Sequence, residues 1–402
     1  MPGRAVQRDV QVYVDAASWG TKPVPANFSS GIEVFDIPEV LLTIGIVTSP
    51  PRAAGFSLSE YWAWLRYICA ISTQPGLALV PEYRDLDSHQ KTILSDDFGM
   101  GFSVHWIWKR MNFSFICDGR YFVDRFLLHF GGAATSRTPG KRGPSKCPDF
   151  VCWTPAGRFH VVECKGTQSG SFYRDKQIAT AKLQKTTINF PAARQGEELA
   201  CGVTVTFEEE NVASQLFVTD PERRPVLTVN DQQVAFAEDT LARGLASRLL
   251  GLSGLPATAL ALAEPDIGEI AMRRRRRAST KTEDLRQIDF IRRKRAEEEL
   301  QRERPHVAFE AEGIQYSGRE REFELPIPVD TGERTVRTVI VRQGINRQVL
   351  EDLGPEKFSQ PLDTDGLAGI RKTISEARSG SDAKVSFVAI GKFYYAELEL
   401  RE

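Results

Sequence analysis

Two short apolar runs separated by a turn constrain the fold of this chain more than any other stretch of its sequence. The runs cover residues 149–153 and 158–165, and Thr154-Pro155-Ala156-Gly157 separates them. Proline and glycine mark tight turns, and a loop of this length can join two adjacent antiparallel strands. The sequence therefore predicts a β-hairpin over residues 149–165.

The end of this hairpin carries side chains of opposite charge. Side chains alternate between the two faces of a strand, so Glu163 and Lys165 point the same way and Cys164 points to the opposite face. Asp149 begins the first strand, and the start of one hairpin strand lies opposite the end of the other. We therefore expect two carboxylates and one ammonium group within one small volume.

Such a group of charges suits the hydrolysis of a phosphodiester bond. The reaction needs a hard cation that neutralises the phosphate and makes hydroxide from water near neutral pH. Mg²⁺ prefers oxygen ligands and usually takes only one or two carboxylates. We expect Asp149 and Glu163 to supply them to Mg²⁺ or Mn²⁺, with the carbonyl oxygen of Cys164 as a further ligand. Lys165 would orient the attacking water or stabilise charge on the phosphate.

The pair Pro148-Asp149, followed after fourteen positions by Glu163-Cys164-Lys165, resembles the PD-(D/E)XK motif of the restriction-endonuclease-like superfamily, in its Mrr-like, restriction-type branch. The resemblance implies an α/β fold with a restriction-endonuclease-like core, in which helices flank a mixed central sheet. It also implies a metal-dependent endonuclease whose substrate is DNA, with RNA left open. A role in restriction or anti-phage defence is an expectation from this analogy of fold alone.

The elements around the hairpin are predicted in the order that this superfamily shows. The sequence predicts a helix over residues 119–130, the hairpin, a second helix over residues 172–187 and a strand over residues 202–207. The resemblance thus covers roughly residues 112–220. It further implies an additional acid on the helix before the hairpin.

Asp124 is the candidate for that additional acid. It shares a helix face with Tyr121 and Leu128, and an acid on an apolar face needs a partner. The alternative interpretation is a salt bridge to Arg125 or to a residue elsewhere. Asp118 competes for the same role, but an Asp-Gly pair at the start of a helix is more typical of an N-cap.

Two basic segments near the hairpin are candidates for contacts with a nucleic-acid backbone. The loop before the hairpin contains no acid and carries Arg137, Lys141, Arg142 and Lys146. The helix after the hairpin contains one acid, Asp175, and four cations, which are Arg174, Lys176, Lys182 and Lys185. Gln177 or Gln184 of that helix is a candidate to contact the phosphate or the water shell of the metal. Ordinary surface charge is the alternative for both segments.

The chain has 402 residues, which is too long for one ordinary core, so two or three domains are expected. We predict an N-terminal accessory domain over residues 1–110 and a nuclease domain over residues 111–265. A charged linker and helix follow over residues 266–305, and a C-terminal α+β domain covers residues 306–402. The five arginines at 273–277 are either a phosphate-binding arm or part of a solvated linker.

Local patterns in the rest of the chain give further predictions. In the N-terminal domain, residues 10–14 and 40–47 are predicted strands, and a helix begins with a capping box at Ser57. Residues 85–102 are polar and turn-rich, and Gly99-Met100-Gly101 predicts a break there. Residues 236–263 are predicted to be helical. The C-terminal domain is predicted to contain strands over residues 338–342 and 385–400, with a helix over residues 370–377.

Charge and cysteine usage exclude several classes of protein. The net charge is −1, so any attraction to nucleic acid must come from local patches. The six cysteines form no C-x-x-C pair and do not fit a zinc knuckle. Without a signal peptide or a long apolar run, the sequence favours a cytoplasmic protein with reduced thiols and no membrane partner. A phosphate-binding loop and a serine nucleophile elbow are both missing.

Two other functions remain open from the sequence. The same fold could serve as a nucleic-acid-binding or assembly module without turnover, although intact Asp149, Glu163 and Lys165 argue against this. The chain could also be a nuclease subunit that stays silent until another protein subunit or a ligand arrives. The flanking domains would then select the target, the partner or the oligomer, and we expect an oligomeric assembly.

Overall fold

The structure is a computed structural model. It describes residues 6–49, 67–130, 147–184, 187–220, 225–264, 282–301, 307–330, 335–353, 358, 368–374, 377–382 and 384–402. These residues form a mixed α/β fold with two large sheets and helices packed on them. The predicted α/β class is therefore confirmed at this level.

The first sheet contains seven strands in the order β2-β1-β10-β8-β6-β5-β4. Their bounds in chain order are Gln7–Val14 (β1), Gly31–Asp36 (β2), Phe115–Asp118 (β4), Phe150–Trp153 (β5), Phe159–Thr167 (β6), Gln195–Thr204 (β8) and Gln215–Thr219 (β10). The pairs β6–β8 and β1–β10 are parallel, and the other neighbours are antiparallel. Strands β1 and β2 of the predicted N-terminal domain thus belong to the sheet that holds the hairpin.

Two small parallel pairs accompany this sheet: Ala78–Leu79 (β3) with Thr206–Phe207 (β9), and Thr187–Asn189 (β7) with Pro225–Thr228 (β11). The helices are Ile37–Thr48 (α1), Ser88–Met111 (α2), Gly119–Phe130 (α3), Ser171–Gln184 (α4), Val234–Leu252 (α5), Pro256–Ala263 (α6), Thr282–Gln301 (α7), Arg347–Asp352 (α8) and Ala368–Thr373 (α9). The helices predicted over residues 119–130, 172–187 and 236–263 are confirmed with small changes of boundary.

The strand predicted over residues 40–47 is wrong, because these residues belong to helix α1. The helix begins after Asp36, whose side chain accepts a hydrogen bond of 3.1 Å from the backbone N–H of Glu39, and Pro38 occupies its first turn. Every residue from Ile37 to Val47 is buried. A helix that is buried on all sides shows no helical periodicity, so its short apolar run resembles a buried strand.

The break predicted at Gly99–Gly101 is also wrong, because both glycines lie inside the 24-residue helix α2. Asp87 caps this helix by accepting hydrogen bonds from the N–H groups of His89 and Gln90. A Cβ atom at Gly99 would lie 2.6 Å from the backbone nitrogen of Gly166 on β6. The glycine therefore permits helix and strand to approach closely, which outweighs its low helix propensity.

The second large sheet has six antiparallel strands in the order β12-β13-β14-β17-β16-β15. Their bounds are Val307–Ala311 (β12), Ile314–Asp330 (β13), Thr335–Asn346 (β14), Ala377–Ser381 (β15), Val385–Ile390 (β16) and Tyr394–Arg401 (β17). The single strand predicted over residues 385–400 is thus two strands, which turn at Gly391 with a φ of 54°. The sheet packs against α1 and shares one continuous apolar core with the first sheet.

Several sequence predictions fall outside the described residues. These are the capping box at Ser57, the basic loop with Arg137, Lys141, Arg142 and Lys146, and the arginine run at 273–277. Within the described part of the chain, no helix combines the length and the apolar character needed to cross a bilayer.

Candidate active site

The predicted hairpin is confirmed, and it positions Asp149 opposite Glu163. Strands β5 and β6 pair from Trp153 with Phe159 to Phe150 with Val162. In the turn between them, the backbone N–H of Gly157 donates to the carbonyl oxygen of Thr154 at 2.9 Å. Gly157 adopts a φ of 75°, which a residue with a side chain rarely does.

The two strands separate just beyond Phe150, and side chains replace the hydrogen bonds of the ladder there. Among the described strands, β8 alone pairs with the last part of β6, from Glu163 to Thr167. The backbone N–H of Cys164 donates to Oδ2 of Asp149 at 2.7 Å, and the backbone N–H of Asp149 donates to Oε2 of Glu163 at 3.3 Å. Both carboxylates are thus oriented by backbone groups at the open end of the hairpin.

Three oxygen atoms converge on the ammonium group of Lys165. Its Nζ atom lies 2.6 Å from Oε1 of Glu163, 3.0 Å from the carbonyl oxygen of Cys164 and 3.5 Å from Oδ2 of Asp149. The side chains of Asp149, Glu163 and Lys165 are 33%, 20% and 30% exposed. The cluster is therefore sheltered enough for strong electrostatic interaction but still accessible from solvent.

The electrostatics of the cluster favour a positive charge between the two carboxylates, which the ammonium group of Lys165 supplies. Burial raises the pKa of Asp149 and of Glu163, Asp149 raises the pKa of Glu163 further, and Lys165 opposes both shifts. Burial lowers the pKa of Lys165, but the two carboxylates outweigh it and raise that pKa above its ordinary value. A positive charge at this point thus stabilises both ionised carboxylates.

The donor set fits a hard divalent cation. The converging atoms are two carboxylate oxygens and one backbone carbonyl oxygen, and the ammonium group of Lys165 stands where such a cation would neutralise them. Among the described residues, no three His, Cys, Asp or Glu side chains are grouped so that they could hold a metal ion by themselves. Mg²⁺ does not require one, because water and substrate phosphate normally complete its coordination.

A further acid, Asp96 on α2, acts electrostatically on this cluster and was missed by the sequence analysis. Asp96 is exposed, but partial desolvation raises its pKa, Lys165 lowers it, and Asp149 raises it. Helix α2 can pack this close to β6 because residue 166 is a glycine. A Cβ atom at this position would collide with the carbonyl oxygen of Ser95. The sequence signal was weak, since Asp96 lies in the segment 85–102, which is polar and turn-rich and to which the sequence assigned no chemistry.

The predicted acid Asp124 lies on α3, where Nε of Arg120 donates to its Oδ2 atom at 2.9 Å. Asp124 thus forms a salt bridge within its own helix, which is the alternative interpretation of this acid, with Arg120 as the partner and not Arg125. The other prediction for this helix is confirmed, because Oδ1 of Asp118 accepts a hydrogen bond of 2.7 Å from the N–H of Tyr121. Asp118 is therefore the N-cap of α3.

The predicted nucleic-acid contacts on α4 have different environments. Arg174 is buried, its Nη1 donates to Oε1 of Gln215 at 2.7 Å, and its guanidinium lies 5.0 Å from the ring centre of Phe217. Its Nη2 atom also lies 2.8 Å from Oδ1 of Asp175, so the guanidinium is occupied by contacts within the fold. Lys176 is exposed, and Gln177 is half-buried with an Oε1 atom that has no hydrogen-bond partner among the described residues.

His160 and four of the six cysteines are buried, whereas Cys69 and Cys147 are half-buried. All six cysteines are free thiols, and Cys164 on β6 is aligned with Cys201 on β8 in the buried part of the sheet. His160 lies on the same strand face as Cys164, and its Nδ1 atom accepts a hydrogen bond of 2.9 Å from the N–H of Glu197. Burial lowers the pKa of His160 to about 3, so its ring is neutral at physiological pH.

Comparison with known proteins adds no relative from which a role could be transferred. No protein-family model matches this chain. No curated protein and no solved structure is significantly similar to it.

Proposed function

We propose that this protein is a metal-dependent nuclease of the PD-(D/E)XK type that hydrolyses phosphodiester bonds in DNA. The observation that carries the proposal is the convergence of Asp149, Glu163 and the Cys164 carbonyl on the ammonium group of Lys165. An ordinary surface salt bridge would need only one acid and one base. Here a second carboxylate and a carbonyl oxygen share the same point despite the cost of burying like charges.

The arrangement of elements around the site supports the same proposal. Helix α2 precedes the antiparallel strands β4, β5 and β6, and α4 then connects β6 to the parallel neighbour β8. This order resembles that of the restriction-endonuclease-like superfamily, with α3 added between β4 and β5. In this arrangement the helix before the first strand is α2, so we propose Asp96 rather than Asp124 as the additional acid.

The chemistry assigned to each group follows from its contacts. Asp149, Glu163 and the Cys164 carbonyl would hold Mg²⁺ or Mn²⁺, which when bound neutralises phosphate charge and promotes deprotonation of water. Lys165 would move aside from its present contacts and donate a hydrogen bond to a phosphate oxygen or to the attacking water. Asp96 would orient water at the edge of the cluster.

Cleavage assays on the full chain test this proposal. Supercoiled plasmid, linear duplex, single-stranded DNA and RNA would be incubated with Mg²⁺, with Mn²⁺ and with EDTA, using wild type and Glu163→Gln. A matched control is Glu310→Gln, which removes an exposed acid of β12. We expect metal-dependent cleavage by wild type and the control but not by Glu163→Gln.

Calorimetry with Mn²⁺ separates the proposal from its rivals. Metal binding without cleavage would favour a nuclease subunit that requires a partner protein or a ligand. Neither binding nor cleavage would favour the assembly-module interpretation and would contradict the proposed activity. A role in restriction or anti-phage defence extends the proposal by analogy of fold only.

A further inference from the structure

Two adjacent aromatic side chains are exposed at the start of α4. Phe172 is 74% exposed and Tyr173 is 52% exposed. Their ring centres are 5.9 Å apart and the rings are nearly perpendicular, at 86°. Exposing two large aromatic surfaces side by side forfeits the free energy that burying them would give, so this pair calls for an explanation beyond folding.

The pair is held close to the cluster by the packing of α4 on the sheet. Gly202 on β8 is in register with Lys165 on β6, and neighbouring strands lie about 4.8 Å apart. A Cβ atom at Gly202 would lie 2.7 Å from Cγ of Arg174 and 2.6 Å from Cδ1 of Ile178. The first turn of α4 therefore covers the strand position next to Lys165.

The same packing fixes the rotation of α4. Arg174 and Ile178 face the sheet, and successive residues of an α-helix are rotated by about 100°. Phe172 therefore points away from the sheet, Tyr173 lies on the flank of the helix, and Lys176 follows Phe172 by one turn on the outward face. The exposed surface of this turn combines aromatic rings with a cation that can contact a phosphate.

We propose that Phe172 and Tyr173 stack on unpaired nucleobases of the strand whose phosphate reaches Asp149 and Glu163. This inference rests on the proposed nuclease function and adds a substrate class, namely single-stranded or locally unpaired nucleic acid. A base within a duplex has both faces covered by its neighbours, whereas an unpaired base presents a free face to an aromatic ring. Because α4 is anchored by Arg174, the rings are held in place before the substrate arrives.

Fluorescence anisotropy on the full chain tests this inference, with Ca²⁺ in place of Mg²⁺ to limit cleavage. The probes are a labelled oligodeoxythymidine, an abasic strand of the same length and a blunt duplex. We expect the abasic strand and the duplex to bind more weakly than oligodeoxythymidine. Phe172→Ala and Tyr173→Ala should each weaken oligodeoxythymidine binding by about 5- to 100-fold, without weakening binding of the abasic strand.

Matched variants make the outcome specific. Phe290→Ala removes a phenylalanine of similar exposure, 67%, from α7 and should leave every affinity unchanged. Tyr173→Phe keeps the ring and should bind as wild type does. Equal losses on the base-containing and abasic strands would overturn the stacking role, as would wild-type affinity in both alanine variants.

The plasmid cleavage assay separates failure of this inference from failure of the proposed function. Metal-dependent cleavage by wild type, together with unchanged oligodeoxythymidine binding in the alanine variants, would overturn only the stacking role. If the wild-type protein neither cleaves DNA nor binds any of the probes, both proposals would be overturned. A melting temperature of each variant equal to that of the wild-type protein would show that the substitutions have not disturbed the fold.

Discussion

The carbonyl oxygen of Ser95 lies so close to Gly166 that any side chain at residue 166 would collide with it. This contact joins helix α2 to strand β6 one residue beyond Lys165. Gly99 of the same helix makes the reciprocal approach to the backbone of Lys165 and Gly166. The position of Asp96 relative to the carboxylate cluster therefore depends on two glycines, one on each element.

Gly166→Ala should destabilise the protein and reduce nuclease activity together. The methyl group would push α2 away from β6, and overpacking of this kind typically costs about 1–3 kcal/mol. Urea denaturation would measure the change in the free energy of unfolding. Gly76→Ala is the control, because no atom lies within 4 Å of the position a Cβ atom would take there. An equal effect of the two substitutions would contradict the proposed close contact.

Asp96→Asn should reduce metal-dependent cleavage by about 10- to 100-fold, because groups that orient metal-bound water typically contribute that much. Asp124→Asn should leave cleavage nearly unchanged, since that carboxylate pairs with Arg120 on α3. Both variants remove one negative charge and keep the side-chain shape. Initial cleavage rates at saturating Mg²⁺ would compare them directly. A larger loss of cleavage rate in Asp124→Asn than in Asp96→Asn would indicate that Asp124, and not Asp96, is the additional acid.

Lys165→Met should separate metal binding from turnover. The two carboxylates would remain to bind Mn²⁺, and removal of the competing ammonium group should not abolish binding. The hydrogen bond to phosphate or water would be lost, which we expect to lower the cleavage rate by about 100- to 1000-fold. Calorimetry and single-turnover cleavage on the same preparation would measure both. Parallel loss of binding would indicate that Lys165 mainly holds the carboxylates together.

The buried His160 should make the fold sensitive to acid. Its pKa is about 3 in the folded state against an ordinary value of 6.5, so between these values the unfolded chain binds more protons. The stability associated with neutral His160 is thus complete above pH 6.5 and is lost as the pH falls. Half of the unfolded chains are already protonated at pH 6.5, so the further loss from pH 6.5 to pH 5 should be roughly 1.6 kcal/mol.

Urea denaturation at several pH values would measure this effect in wild type, in His160→Gln and in His89→Gln. The first variant should lose stability between pH 6.5 and pH 5 less steeply than wild type. The second replaces an exposed histidine and should follow the wild-type curve. A wild-type pH dependence in His160→Gln would show that other groups determine the acid sensitivity.

The hairpin and its charges could be predicted because all the signals are local. The alternation of side chains along residues 158–165 and the turn at Thr154–Gly157 specify the register of the two strands. They thereby specify which side chains lie on the same face of the hairpin. Asp96 could not be predicted in the same way. Its helix contains two glycines and few apolar residues in its first half, so its formation depends on contacts with β6 and α1, which are distant in the sequence.

Helix α1 illustrates the opposite difficulty. Its residues are apolar throughout, and the composition of residues 40–47 is as suitable for a buried strand as for a buried helix. The distinction depends on Asp36 and Pro38 at its start, and on packing against α2 and the C-terminal sheet. Local sequence thus predicted burial correctly but not the backbone conformation.

The parallel pairing of β1 with β10 has a consequence for synthesis of the chain. Strand β1 can pair with β2 soon after both are made, but Gln11 pairs on the other side with Gln215, about 200 positions later, so this edge of β1 stays unpaired until β10 has been made. At the usual ribosomal rates of about 5–20 residues per second, β1 would wait roughly 10–40 s. During that interval Val10 and Val12 lack their final cover, and a nascent chain in this state is a natural client for a chaperone.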